Sequence, residues 1–206
     1  MLYGAVRPSG YHQKLLILKN KTKTTLRVGV AQIAPVWLDR NATVTRVIEW
    51  IREAASQDCE LVVFGEALIP GYPFWVERTD GARFDSELQK ELYCYYVEQS
   101  VCIEAGDLDG IRDAARQHAI AVYVGVMERA PDRGGHSLHA SMVFVDAGGD
   151  IGSVHRKLMP TYEERLVWAI GDGNGLRTHR LGPFTAGGLN CWENWLPLAR
   201  AALYAQ

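Results

Sequence analysis

A thiol, two carboxylates and an ammonium group stand out in this chain, each placed where an element should begin or end. Cys191 lies in Gly187-Gly188-Leu189-Asn190-Cys191-Trp192-Glu193-Asn194, a small-residue approach to a thiol on a turn. Behind it Leu196, Ala199 and Leu203 have helical spacing, with Pro197 tolerable in a first turn. A thiol just ahead of a helix feels the positive end of the helix dipole, which favours thiolate. Glu66 closes the apolar run Glu60-Leu61-Val62-Val63-Phe64-Gly65-Glu66, where apolar neighbours would raise its pKa towards the range of a general base. Lys157 ends the run 151–157, and a strand-end ammonium can stabilise an anion developing on a substrate. Thr161-Tyr162-Glu163-Glu164, after Pro160, fits a capping box. Chemistry alone says that a thiolate, a base and a cation can attack an electrophilic carbon bound to nitrogen, in a nitrile or an amide. Each residue also has an ordinary alternative: a buried core cysteine, a solvated loop acid, a surface lysine and, for Glu164, a helix cap.

The elements needed to position these groups follow from periodicity. From Arg27 onward, strands and helices alternate: a strand over 28–33, a helix with Val44, Val47, Ile48 and Ile51 at helical spacing, then a strand over 61–64. Helices are expected over 86–104 and 108–118, and a strand over 119–127. The runs 140–146 and 151–157, joined by Ala147-Gly148-Gly149-Asp150, read as a β-hairpin that breaks the alternation. This is a layered α/β fold with a mixed sheet, in one domain over 27–206. Gly171-Asp172-Gly173-Asn174-Gly175 lacks dinucleotide-binding spacing and reads as a flexible turn. His136 and His139, three apart with no third ligand, read as loop residues rather than a metal site. Tyr72 and Trp192 are candidates to contact substrate, with aromatic core packing as the alternative.

Composition excludes several classes. The 206 residues are 48% hydrophobic and 22% charged with a net charge of -2, enough for one core and without a nucleic-acid signature. No segment approaches the roughly 18 apolar residues that span a bilayer. Cys59, Cys94, Cys102 and Cys191 lack metal-type pairing, and a free Cys191 suits a reducing compartment, with cytoplasm the default. Residues 1–26 carry Arg7, Lys14, Lys19, Lys21 and Lys23 but no acid, and read as a basic, disordered extension.

Taken together with their neighbours, these residues resemble the carbon–nitrogen hydrolases, and within them the nitrilase branch. The resemblance is carried by Phe64-Gly65-Glu66-Ala67 with Pro70-Gly71-Tyr72-Pro73, by His155-Arg156-Lys157-Leu158 through Thr161-Tyr162-Glu163-Glu164-Arg165-Leu166, and by Cys191-Trp192-Glu193-Asn194, in the family's order. It implies an αββα sandwich, with Glu66 as general base, Lys157 as anion stabiliser, Cys191 as nucleophile and Glu164 as the second glutamate, Glu163 being the fallback. The Trp192-Glu193 pair favours the nitrilase branch over aliphatic amidases. The implied reaction converts a nitrile to a carboxylic acid and ammonia through a thioimidate, with no metal or organic cofactor, in a protein that is a homo-oligomer at full length; the alternatives are an amidase of the same superfamily, or an inactive fragment that partners a complete subunit. Against the family's pattern the chain stops at Gln206, fifteen positions beyond Cys191. The sandwich is therefore expected to be incomplete, lacking the C-terminal third, with unpaired edges and apolar faces open to water.

Overall fold

A computed structural model of the chain describes residues 24–206; the basic extension read from the sequence falls almost wholly outside the described residues. Its main sheet has five strands in chain order: β1 (Val28–Ala31), β2 (Leu61–Phe64), β3 (Ala121–Arg129), β4 (Leu138–Val145) and β5 (Ile151–Arg156). Strands β1 to β3 are parallel because helical crossovers separate them, and β3 to β5 are antiparallel because hairpins do. The predicted mixed sheet is thus present, and β3, buried from Ala121 to Glu128, is its centre.

Helices α1 (Arg40–Ser56) and α4 (Asp109–His118) cover one face. Asp39 caps α1 by accepting from the Ala42 amide at 2.8 Å, and the helix buries Val47 and Ile51 against Val62, Val122 and Val124. The other face meets a second sheet, β6 (Thr178–Leu181) with β7 (Phe184–Gly187). There Leu181 packs on Tyr123 and Phe144, and the His179 ring stacks on Phe144 at 3.8 Å. Helix α5 (Pro197–Tyr204) lies on the outer side of this hairpin, where the Thr178 amide donates to Gln206 Oε1 at 3.0 Å. The order helix, sheet, sheet, helix is the αββα layering that the resemblance implies. Towards β1 the inner face is open: Val30, on the side of the second sheet, is 81% exposed.

Local differences from the sequence expectation have physical causes. The helix expected over 86–104 is α3 (Glu87–Gln99) followed by a 3-10 turn, Ile103–Ala105. It stops because the Val101 amide donates to the Met127 carbonyl at 2.7 Å, and the Val101 carbonyl accepts from the Arg129 amide, also at 2.7 Å. A one-turn helix, α2 (Trp75–Arg78), precedes it. The glycine run at 171–175 is not a free turn. Gly171 and Gly175 lie directly against the backbone of β5 and Lys157, where a side chain would strike the Arg156 and Val154 carbonyls, and the Gly171 amide donates to the Lys157 carbonyl at 2.8 Å.

Gly125, in the middle of β3, carries the segment after β2. A Cβ there would strike the Gly65 carbonyl and lie 2.7 Å from Glu66 Cα and 2.9 Å from the Ala67 nitrogen, all backbone atoms. Gly125→Ala is expected to destabilise by about 1–3 kcal/mol, lowering the thermal midpoint by about 2–10 °C. A midpoint equal to that of the parent chain in a calorimetric scan would show that this approach is looser than described.

Candidate active site

Lys157 is the first residue beyond β5, and its amide extends the hairpin ladder by donating to the Ala140 carbonyl at 2.8 Å. Its side chain is completely buried. An ammonium out of water requires counter-charges, and two are in place. Glu164 Oε2 accepts a hydrogen bond from Nζ at 2.7 Å, and Glu66 Oε1 forms an ion pair with it at 3.0 Å. Nζ also lies 5.3 Å from the centre of the Trp168 ring. Burial alone would push the Lys157 pKa down, but the hydrogen bond it donates to Glu164 and the charge of Glu66 reverse this and hold it above its ordinary value.

Glu66 reaches Nζ from the loop that follows β2. That loop is fastened at several backbone points: Pro70 accepts from the Leu38 amide at 2.9 Å, Gly71 from the Tyr96 hydroxyl at 2.9 Å, and Ile69 from the Met127 amide at 2.7 Å. Desolvation raises the Glu66 pKa, Lys157 lowers it, and desolvation wins. The elevation predicted from the apolar neighbours is therefore present, with a cation as the opposing influence.

Glu164 sits in a 3-10 turn, Tyr162–Leu166, and the predicted capping box is formed: Oε2 accepts from the Thr161 amide at 2.7 Å and from the Thr161 hydroxyl at 3.0 Å. The cap and the Lys157 partner are one carboxylate. Its other oxygen, Oε1, accepts from the Tyr72 hydroxyl at 3.3 Å, and the Tyr72 ring packs edge-on against Trp168. Burial and the neighbouring Glu164 keep that hydroxyl protonated well beyond its usual range. Glu163, the fallback, is exposed.

Cys191 is exposed and opens a 3-10 turn, Cys191–Trp195, with φ of 42°. The α-helix expected directly behind it begins only at Pro197, so the helix-dipole argument for its thiolate does not carry. The turn is closed by the Asn190 amide donating to Glu193 Oε2 at 2.8 Å and the Glu193 amide donating to the Asn190 carbonyl at 2.9 Å, and Pro197 has no amide to donate back to it. Trp192 is 54% exposed and stacks on Trp195 at 5.3 Å. The turn is tied to the Lys157 segment through Ala140, whose carbonyl accepts from Lys157 N and, at 3.4 Å, from Asn190 Nδ2.

Three of the eight described non-glycine residues with positive φ lie at the site. Ala67, Tyr162 and Cys191 have φ of 51°, 46° and 42°, in the left-handed region, and lie beside Glu66, beside Glu163 and at the thiol. The structure thus brings Glu66, Lys157, Glu164 and Tyr72 into one contact group and sets the Cys191 turn on the same strand end. Glu193, Asn190 and His155 also hold the site together, and sequence reasoning gave them no role. The available signal was Asn190-x-x-Glu193, a second capping pattern of the kind seen at Thr161. Among the described residues, no three histidine, cysteine, aspartate or glutamate side chains form a group that could hold a metal ion.

A carboxylate of raised pKa and a buried cation thus meet beside a thiol at a left-handed backbone position. The profile of the carbon-nitrogen hydrolases matches residues 27–206. An aliphatic nitrilase of Rhodococcus rhodochrous is 37% identical over 185 residues, covering 88% of this chain and 47% of the relative. Nitrilase 1 of Arabidopsis thaliana is 32% identical over 183 residues, covering 89% of this chain and 52% of the relative. The chain spans about half the length of the curated relatives it matches. Among solved structures, an amidase from Nesterenkonia sp. superposes with a TM-score of 0.64 at 17% identity, covering 87% of this chain and 60% of the amidase, which shows the shared fold. With its profile match running from Arg27 to the last residue, this chain belongs to the carbon-nitrogen hydrolase family.

Proposed function

We propose that this chain carries the chemical site of a nitrile hydrolase, and the observation that carries the reading is the buried Lys157 held between Glu66 and Glu164 beside the Cys191 turn. Glu66 takes the proton of the Cys191 thiol, and the sulfur adds to the nitrile carbon while the nitrogen is protonated, giving a thioimidate. Water then adds to that carbon. Collapse expels ammonia and leaves a thioester, and a second water, deprotonated by Glu66, releases the carboxylic acid and restores the thiol. Lys157 stabilises the anionic tetrahedral species; Glu164 fixes Lys157 and is itself fixed by Thr161 and Tyr72. Tyr72, bonded to Glu164, and Trp192, next to Cys191 in the chain, are the proposed substrate contacts, and the exposed Trp195, Leu198 and Tyr204 support assembly with further copies.

A nitrile is favoured over an amide because the relatives at 32–37% identity are nitrilases, whereas the amidase likeness rests on fold alone. Ammonia release from a nitrile and from the matching amide separates the two; faster release from the amide would overturn the assignment.

Replacing the proposed nucleophile, Cys191→Ala, should reduce turnover by at least about a thousandfold with the thermal midpoint retained, since only an exposed sulfur is lost. Glu66→Gln should be similarly inactive, because an amide cannot accept the thiol proton. Substantial hydrolysis by either variant would remove that residue from the mechanism. Glu164→Gln should lose most activity and Glu163→Gln little, and the reverse result would exchange their roles.

The pH profile has a defined sign. Glu66 acts unprotonated and its pKa is raised by burial, so activity should fall as pH drops through that raised value. The acid limb of kcat/KM should therefore have its midpoint above the ordinary glutamate value of about 4.3. A midpoint at or below that value would argue against Glu66 as the base.

A further inference from the structure

The carboxylate of Glu193 has no part in the four-residue chemistry above, yet it is 1% exposed, more enclosed than Glu66 or Glu164. A carboxylate so placed must be fully hydrogen-bonded, and its partners come from two different segments. Oε2 accepts from the Asn190 amide at 2.8 Å, and Oε1 accepts from the Leu158 amide at 2.7 Å. His155 Nε2 lies 2.9 Å from Oε2 and 3.1 Å from Oε1. Facing a carboxylate, Nε2 is the ring nitrogen that carries the proton; Nδ1 is buried without a hydrogen-bond partner among the described residues. Burial raises the Glu193 pKa, but His155 and the two backbone amides outweigh it and hold the group ionised.

The sequence neighbours of these donors give the arrangement its meaning. Asn190 immediately precedes Cys191, and Leu158 immediately follows Lys157. One carboxylate therefore bonds the backbone beside the thiol and the backbone beside the ammonium. His155, on β5 two positions before Lys157, closes the clamp from the strand side. The Cys191 turn is otherwise exposed and carries a φ of 42°, so something must hold it inward against relaxation. Glu193 also lies close enough to Glu66 to raise its pKa electrostatically, which places the clamp within reach of the base.

We propose that Glu193, braced by His155, is a positioning residue that sets the separation between the Cys191 thiol and the Lys157–Glu66 pair. It touches neither substrate nor reacting atoms. The inference rests on the reading of Cys191 as the nucleophile, so its test reads the thiol directly rather than turnover. The whole chain is treated with iodoacetamide at neutral pH, and alkylation of Cys191 is timed by peptide mass spectrometry against the exposed Cys94 in the same sample.

Glu193→Gln turns an NH2 towards one of the two backbone amides and breaks the clamp. A thiol displaced from Glu66 and Lys157 loses the base that takes up its proton as the sulfur attacks, so Cys191 alkylation relative to Cys94 should slow by about tenfold. His155→Leu, which removes the bracing donor but leaves both backbone bonds, should slow it by about threefold, and His155→Gln, whose amide can donate to Glu193, should restore it to within about twofold of the parent. An unchanged Cys191 to Cys94 ratio in Glu193→Gln and His155→Leu overturns the proposal. So does His155→Gln being as slow as His155→Leu, because loss of packing rather than of the hydrogen bond would then be the cause. If circular dichroism shows that Glu193→Gln does not fold, the two His155 variants decide. Failure of the nucleophile reading would appear separately, as turnover surviving Cys191→Ala.

Discussion

A completely buried ammonium group is the constraint on which the site depends. Lys157 has no access to water, and its ionised form persists only because Glu164 and Glu66 approach to 2.7 and 3.0 Å. Removing either carboxylate would leave a buried charge under-compensated, so the loop after β2 and the turn after β5 must both be held in place. The fold does this with backbone contacts. Ile69 shares two bonds with β3, donating to Gly125 and accepting from Met127, while Gly125 lets the Glu66 backbone come within contact distance. The same pairing bears on the proposed chemistry: Lys157 partly offsets the burial that raises Glu66, so the carboxylate proposed as the base is also a counter-ion of the lysine.

Two capping boxes, at Thr161-x-x-Glu164 and Asn190-x-x-Glu193, are used in the same way. In an ordinary helix start, such a glutamate bonds a backbone amide at the surface. Here each glutamate is buried, caps its own short turn and also bonds a side chain of the β5 end, Lys157 in one case and His155 in the other. Local structure and active-site geometry thus share the same atoms. The left-handed backbone at Tyr162 and Cys191 is the counterpart: these turns are strained, and buried ionic hydrogen bonds hold them.

The layers explain where the site sits. Helices α1 and α4 fill one side of the main sheet and the β6–β7 hairpin covers part of the other, so the ends of β2 and β5 open beside the turn that follows β7. The glycines that permit this lie where backbones approach most closely: Gly125 under Glu66, and Gly171 and Gly175 against β5.

Much of this was legible in the sequence because it depends on local pattern. Apolar runs bounded by turns defined β2, β3 and the β4–β5 hairpin, and the motifs around Glu66, Lys157, Glu164 and Cys191 pointed to the family. The capping box at Thr161 was visible, as was the raised pKa of Glu66. The sequence could not decide between Glu164 as a cap and Glu164 as a partner of Lys157, because that depends on where a strand end 7 residues away points its ammonium. Nor could it find the Glu193–His155 pair, whose members are 38 residues apart. It also read a helix through 86–104 and a free turn at 171–175, where tertiary contacts with β3 and β5 override local preference. Periodicity and motif determined which residues this chain brings to its site; the burial of Lys157, Glu164 and Glu193, a property of the packed layers alone, decided which charges had to meet.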